Sequence, residues 1–307
     1  MAKLRVLFIG GSGIISSACS QVAVDSGIDL FVLNRGRSAV RPLPPGVNML
    51  RADIREPDSV RAEVSDLAFD AVVDWVAFTP GHVRTDIELF RGRTAQYVFI
   101  SSASAYQTPP ARVPVTESTP LRNPYWQYSR HKIACEDLLV AAYREEGFPA
   151  TIIRPSHTYD QTSVPFDGGW TVLGRMLAGK PVIVHGDGTS LWTLTHHDDF
   201  ARAFVPLLAH PRTIGEAIHI TSDDVLTWNQ IAAADPEWGA GLLGDKAHSM
   251  VFDNAKLRSL VPGWQAVIPF EQGAREIAGW YLADPARQIT DASLDATMDK
   301  LATAWTA

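Results

Sequence analysis

The chain has 307 residues, 46% hydrophobic and 20% charged, enough to bury a sizeable core in one large domain or two smaller ones. A formal net charge of -7 argues against a general nucleic-acid partner, which needs clustered lysine and arginine, but leaves room for an anionic small molecule at a local positive site. The two cysteines, Cys19 and Cys135, sit far apart in helical patterns; they make no zinc site alone and read as reduced, buried thiols.

The opening MAKLRVLFIGG reads as a strand running into a glycine loop rather than a signal peptide, and no stretch approaches the ~18 apolar residues of a membrane span. The expectation is a cytoplasmic protein with no membrane partner. Continuous apolar runs predict strands at 4–10, 29–34, 46–53, 70–77 and 96–101. Helices fit between them at Ile14–Ser26, closed by Gly27, at Pro57–Leu67, and at Pro80–Phe90 with Thr79 as cap. A long helix is expected over Asn123–Glu146, with Asn123 as N-cap, Pro124 in the first position and Gly147 at the end. A sixth strand follows at 150–155. This alternation implies an α/β fold, a doubly wound parallel sheet, over 1–155.

After Pro155 the pattern changes. SHTYDQTSVPFDGGW reads as a polar loop, followed by short helices and isolated strands. Residues 156–307 are expected to form mainly a smaller substrate-binding domain, with parts of 196–221, notably EAIHIT, returning to the main sheet. The stretch after Trp228 is too short for a full helix and strand before AADPEWGAG.

The loop IGGSGIIS places Gly10, Gly13 and Ser16 in a G-x-x-G-x-x-S pattern between a strand and a helix. Gly10 permits the tight turn, and Gly13 lets backbone amides approach a pyrophosphate at the positive helix end. Ser12, Ile14 and Ile15 are expected to touch the same cofactor. A carboxylate often ends the second strand, where it binds the ribose of NAD. Here Asn34 stands there, followed by Arg35 and Arg37, which can bind a phosphate and tilt the expectation of NAD(P) toward NADP. The plain alternative is two solvated loop arginines. Asp53, with Ile54 beside it, can accept from an adenine amino group or cap the next helix, and Ala77 ends the fourth strand near the cofactor.

Tyr128 and Lys132 stand four residues apart on one helix face. A nearby ammonium favours the phenolate and makes tyrosine a usable acid or base. Ser102, at the carboxyl end of the fifth strand, can fix the reacting oxygen. By chance alone such a pair is common on helices; the glycine loop and the strand-end serine give it meaning.

The chain resembles the extended short-chain dehydrogenase/reductase family, the NAD-dependent epimerase/dehydratase group, over nearly its whole length. FIGGSGIIS is similar to the family's glycine loop, with Ser16 in place of a third glycine. YVFISSASAY resembles its serine strand, YSRHK its Y-x-x-x-K, and IIRPSHTYD its sixth strand, with Pro155 and His157 beside the nicotinamide. VHGDGTSLWTLTHHDDFARA resembles its G-D-G segment and the helix after it. The resemblance implies a Rossmann fold, a small-molecule, sugar-like substrate and a homodimer formed through helices.

Departures narrow the reaction. Ala103 and Ser104 stand where dehydratase relatives carry an acidic pair, so dehydration and decarboxylation are not expected. Leu191 and Trp192 stand where nucleotide-sugar relatives place a diphosphate-binding arginine; Arg175 or Lys180 is the only substitute in view. Ser104, His157, Trp170 and Trp192 are the expected substrate contacts, the tryptophans stacking on a ring or simply packing in the core. In HHDD (196–199) the aspartates suit a helix first turn better than a metal, and no metal is expected. Three readings stay open: an epimerase or oxidoreductase of a sugar derivative, an NADPH-dependent carbonyl reductase of a non-nucleotide substrate, and a non-catalytic NAD(P)- or RNA-binding relative.

Overall fold

The computed structural model describes residues 3–36, 40–64, 67–183, 186–231 and 248–306. Seven parallel strands form the central sheet: β1 (Arg5–Ile9), β2 (Asp29–Asn34), β3 (Asn48–Arg51), β4 (Ala71–Asp74), β5 (Tyr97–Ile100), β6 (Ala150–Pro155) and β10 (Ala217–Ile220). Their order is β10-β6-β5-β4-β1-β2-β3, a doubly wound sheet whose direction of growth switches beside β1. EAIHIT thus returns to the sheet as expected, pairing Ile218 with Ile153.

Away from the exposed edge strand β3, both sheet faces are dry, which is why the inner strands read as unbroken apolar runs. Val6, Phe8, Val32 and Val73 point to one face, covered by α1 (Ile14–Asp25) and α6 (His197–Phe204). Leu7, Ile9, Val72 and Phe99 point to the other, under α2 (Pro57–Glu63), α3 (Pro80–Phe90) and α4 (Gln127–Glu146). Cys19 and Cys135 fall in these two separate layers, both buried and unbonded.

Besides strand and helix ends that are shorter than the sequence reading gave, two differences bear on the site. The long helix begins at Gln127, not Pro124. Asn123 is almost fully buried; its Oδ1 accepts from the amides of Tyr125 and Trp126, while its Nδ2 donates to the Ser104 carbonyl, so 123–126 form a turn tied to the β5 end. The supposed polar loop contains β7 (His157–Tyr159), paired with β9 (Leu194–His196). A further two-stranded pair joins β8 (Leu191–Trp192) to β11 (Leu226–Thr227). The stretch AADPEWGAG lies outside the described residues.

Beyond the sheet come α5 (Gly169–Leu177), α7 (Trp228–Ile231), α8 (Ala255–Leu260), α9 (Phe270–Leu282) and α10 (Ala292–Thr306). Arg175 on α5, 1% exposed, meets Asp295 and Asp299 of α10, and Lys180 joins them. These two cations clasp the last helix, so neither takes the place of the missing diphosphate arginine. Trp170 is spent in the same region: its ring stacks on Trp280 at 5.1 Å and Tyr281 at 5.5 Å. No helix among the described residues is long and apolar enough to cross a membrane.

Helix α9 is seated on β7 through Gly273, whose missing side chain admits the Tyr159 ring. Alanine is ordinarily better than glycine inside a helix by about 1 kcal/mol. Here a Cβ would collide with that buried ring, and overpacking costs about 1–3 kcal/mol. We therefore expect Gly273→Ala to lower the urea midpoint; a raised midpoint would show that this contact does not hold α9 in place.

Candidate active site

The carboxyl edge of the sheet opens into a cavity of about 570 Å³, within the size range of small-molecule sites. Ile9, Gly10 and Ser12 form one wall, Asn34 and Arg35 a second, and Asp53, Ile54 and Arg55 a third. Gly10 has φ +89°, and a Cβ there would press on Val76 Cγ1 at 3.2 Å and Trp75 Cβ at 3.3 Å. Only glycine keeps this approach open. Gly13 is the N-cap of α1, with Ile14 and Ile15 in the first turn just beyond the cavity wall. Ser16, in place of a third glycine, accepts from the Gly13 amide at 2.8 Å and so caps the helix itself.

At the β2 end, Asn34 Oδ1 accepts from the Gly36 amide at 2.7 Å, closing the turn. Arg35 lies 3.5 Å from the Asp53 carboxylate, which also accepts from the Arg55 amide. Asp53 thus closes the turn before α2 rather than capping that helix, whose N-cap is Glu56, while still facing the cavity. Arg37 lies outside the described residues. Ala77 departs from expectation: it is fully buried, and its neighbours Val76 and Phe78 form the wall instead. The cradle, with backbone amides at a helix start, no carboxylate at Asn34 and two arginines, fits a dinucleotide with or without a ribose phosphate.

A second pocket, of about 210 Å³, adjoins the ends of β5 and β6. Ser102, Ser104, Tyr128, Pro155, His157 and Trp192 line it together, with Trp126 added. The elements explain the convergence. Ser102 is the second residue past β5 and starts a 3-10 turn over Ala103–Ala105. Tyr128 enters from the first turn of α4, and Pro155 ends β6. Trp170 does not join them.

Lys132 lies behind this pocket, 2% exposed. Its Nζ donates to the carbonyls of Ala77 and Ile100, both at 2.7 Å, and sits 5.6 Å from the Tyr128 ring centre. One turn further along α4, Glu136 receives Arg154 bidentately, at 3.1 and 2.6 Å, and accepts from Ser101 Oγ. Both charged partners are nearly fully buried. The stripe Tyr128–Lys132–Glu136 is therefore fastened to the ends of β4, β5 and β6.

Sequence reasoning missed Arg55, Phe78 and His82 in the larger cavity and Trp126 in the smaller one. Trp126 had a signal, standing two residues before Tyr128. Arg55 and His82 had none, because their place depends on how the turns after β3 and β4 fold. In HHDD, His196, His197 and Asp198 do come close, with ligand atoms within 4.8 Å of one another. His196 Nε2 is engaged with Glu276 of α9 at 3.0 Å, and Asp199 accepts from the Val267 and Ile268 amides, so these two residues tie α6 to α9 and to the segment before it.

Burial pushes Lys132 down to about 8. Its proton is held less tightly in the folded chain than in the unfolded one, so the charged form destabilises the fold. That cost is complete below about pH 8 and is relieved as pH rises toward about 10.5, where the unfolded chain alone still binds the proton. We expect the stability of wild type relative to Lys132→Met to rise by about 2–3 kcal/mol between about pH 7 and pH 10.5, read by urea unfolding. A pH-independent gap would contradict a buried ammonium.

The profile of the NAD dependent epimerase/dehydratase family matches residues 6–89 and 87–221. The 2'-dehydrokanamycin reductase of Streptomyces kanamyceticus is 28% identical, over 97% of this chain and 90% of that one. The chloroplast stem-loop binding protein of 41 kDa b of Arabidopsis thaliana is 25% identical, over 91% and 75%. The UDP-glucose 4-epimerase of Thermotoga maritima, solved with UDP-glucose, superimposes with a TM-score of 0.74 at 19% identity, covering 91% of this chain and 99% of that one; this likeness speaks to the fold alone. Because the profile runs from the first strand of the sheet to its last, the chain belongs to the NAD dependent epimerase/dehydratase family.

Proposed function

We propose that the chain is an NADP(H)-dependent reductase or dehydrogenase acting at a carbonyl or carbinol carbon of a sugar-like molecule that carries no nucleotide. One observation carries this reading: Ser102 and Tyr128 face a single small pocket whose lining, among the described residues, includes no carboxylate and no lysine or arginine. Dehydration requires a base to draw a proton from carbon, and no acid stands at Ala103 or Ser104; besides Tyr128, His157 is the one basic side chain in the described lining. Without a cation there is nothing to hold a diphosphate.

In this reading Tyr128 passes a proton to or from the substrate oxygen, and Ser102 holds that oxygen in place. Lys132 spends two of its three protons on backbone carbonyls. The third serves the nicotinamide ribose, and the charge favours the phenolate of Tyr128. Gly10, Ser12, Gly13, Ile14 and Ile15 frame the pyrophosphate, and Asp53 with Ile54 meets the adenine. Arg35 and Arg55 supply positive charge at the adenine ribose, where Asn34 does not repel a phosphate. Pro155 and His157 border the nicotinamide, which when bound supplies or takes the hydride.

The reductase among the relatives supports this direction over epimerisation. The stem-loop binding relative favours a non-catalytic alternative; the assembled Ser102, Tyr128 and Lys132 set and the acidic charge weigh against it. We expect the purified protein to bind NADPH more tightly than NADH and to oxidise NADPH with 2'-dehydrokanamycin or a neutral keto-pyranoside, but not to convert UDP-glucose. Tyr128→Phe should lower kcat/KM at least ~100-fold. Tightly retained NAD with epimerisation of UDP-glucose, or full activity in Tyr128→Phe, would overturn the reading.

A further inference from the structure

Ser102 is not alone at the pocket; two hydroxyls run in line behind it. Ser129, fully buried on α4 next to Tyr128, donates to Ser104 Oγ at 2.8 Å. Ser104 Oγ lies 2.9 Å from Ser102 Oγ, and the Ser104 amide donates to Ser102 Oγ at 3.2 Å. The Ser104 backbone is itself held, because its carbonyl accepts from Asn123 Nδ2 at 2.9 Å.

A serine hydroxyl has one proton to give and two lone pairs to receive. Ser104 Oγ receives from Ser129, and either serine can donate in the contact between Ser104 and Ser102; the chain runs one way when the Ser104 proton goes on to Ser102. Ser102 then receives two bonds, one from the Ser104 hydroxyl and one from the Ser104 amide. Its remaining capacity is a proton, and the remaining direction is the pocket that it lines. We propose that Ser129 and Ser104 are positioning residues: a one-way hydroxyl chain that fixes Ser102 as a donor toward the substrate oxygen. A fixed donor suits an oxygen that gains negative charge at the transition state more than it suits the ground state, so the chain should act on kcat. Hydrogen bonds in series also polarise one another, which strengthens the last one.

This inference rests on the reductase reading, and the test separates the two. NADPH-dependent reduction of cyclohexane-1,2-dione, a ring ketone small enough for the pocket, is measured for wild type, Ser129→Ala, Ser104→Ala, the double variant and Tyr128→Phe, with melting curves to confirm folding. Ser129→Ala should lose about 3- to 10-fold in kcat with little change in KM, the loss of one ordinary hydrogen bond. Ser104→Ala should lose at least as much. Because Ser129 acts only through Ser104, the double variant should match Ser104→Ala alone. Multiplying losses, or an unchanged kcat in Ser129→Ala while Tyr128→Phe is inactive, would overturn the chain and leave the reductase reading standing. No NADPH oxidation by folded wild type, or full activity in Tyr128→Phe, would overturn both.

Discussion

The site depends on one buried contact: the Lys132 ammonium held against the carbonyls of Ala77, in the turn after β4, and Ile100, at the end of β5. Burying a charge is costly unless it is paired or well hydrogen-bonded. Two carbonyls at 2.7 Å and the faces of Phe78 and Phe99 offset part of that cost. Because the bonds go to backbone, they fix the helix relative to the sheet rather than relative to a mobile side chain. Tyr128, one turn before, is thereby carried to the strand edge.

Glu136 and Arg154 make the same join on the far side. A buried ion pair adds little net stability, but losing one partner leaves the other charged and dry, at about 3–5 kcal/mol. The pair therefore acts more on register than on stability. Arg154 precedes Pro155 in β6 and also donates to the Glu117 carbonyl, while Ser101, bonded to Glu136, precedes Ser102. Ser102 and Pro155, which line the smaller pocket from the ends of β5 and β6, thus each have an immediate neighbour locked to α4. A further tie crosses the molecule: Arg41, in the segment after β2, meets Asp160 and Thr162 just past β7. The cavity at Arg35 and the pocket at His157 are linked through that contact.

Much of the fold was legible because dry parallel strands leave an unmistakable apolar run. Residues 29–34 and 150–155 were bounded correctly, and the first, fourth and fifth strands lost only their polar or loop ends. The glycine loop and the Ser102–Tyr128 convergence were legible too, since spacing and position in the chain encode them. What was lost depended on partners distant in sequence. Trp170 reads as a free aromatic until Trp280 stacks on it. Arg175 reads as a free cation until α10 brings two carboxylates to it. Asn123 reads as an N-cap, and only the Ser104 carbonyl explains why the helix waits four residues. The link from Ser129 to Ser104 was equally hidden, because it joins two elements across 25 residues.

The central claim is spatial: α4 presents the Tyr128 hydroxyl to the same substrate oxygen that Ser102 reaches. A crystal structure with NADP and a ring alcohol tests it most directly. The account predicts one ligand oxygen within hydrogen-bond reach of both Tyr128 Oη and Ser102 Oγ, about 2.6–3.2 Å from each, with Lys132 still on the Ala77 and Ile100 carbonyls. A ligand bound with Tyr128 turned away, or an oxygen touching Ser102 alone, would contradict it.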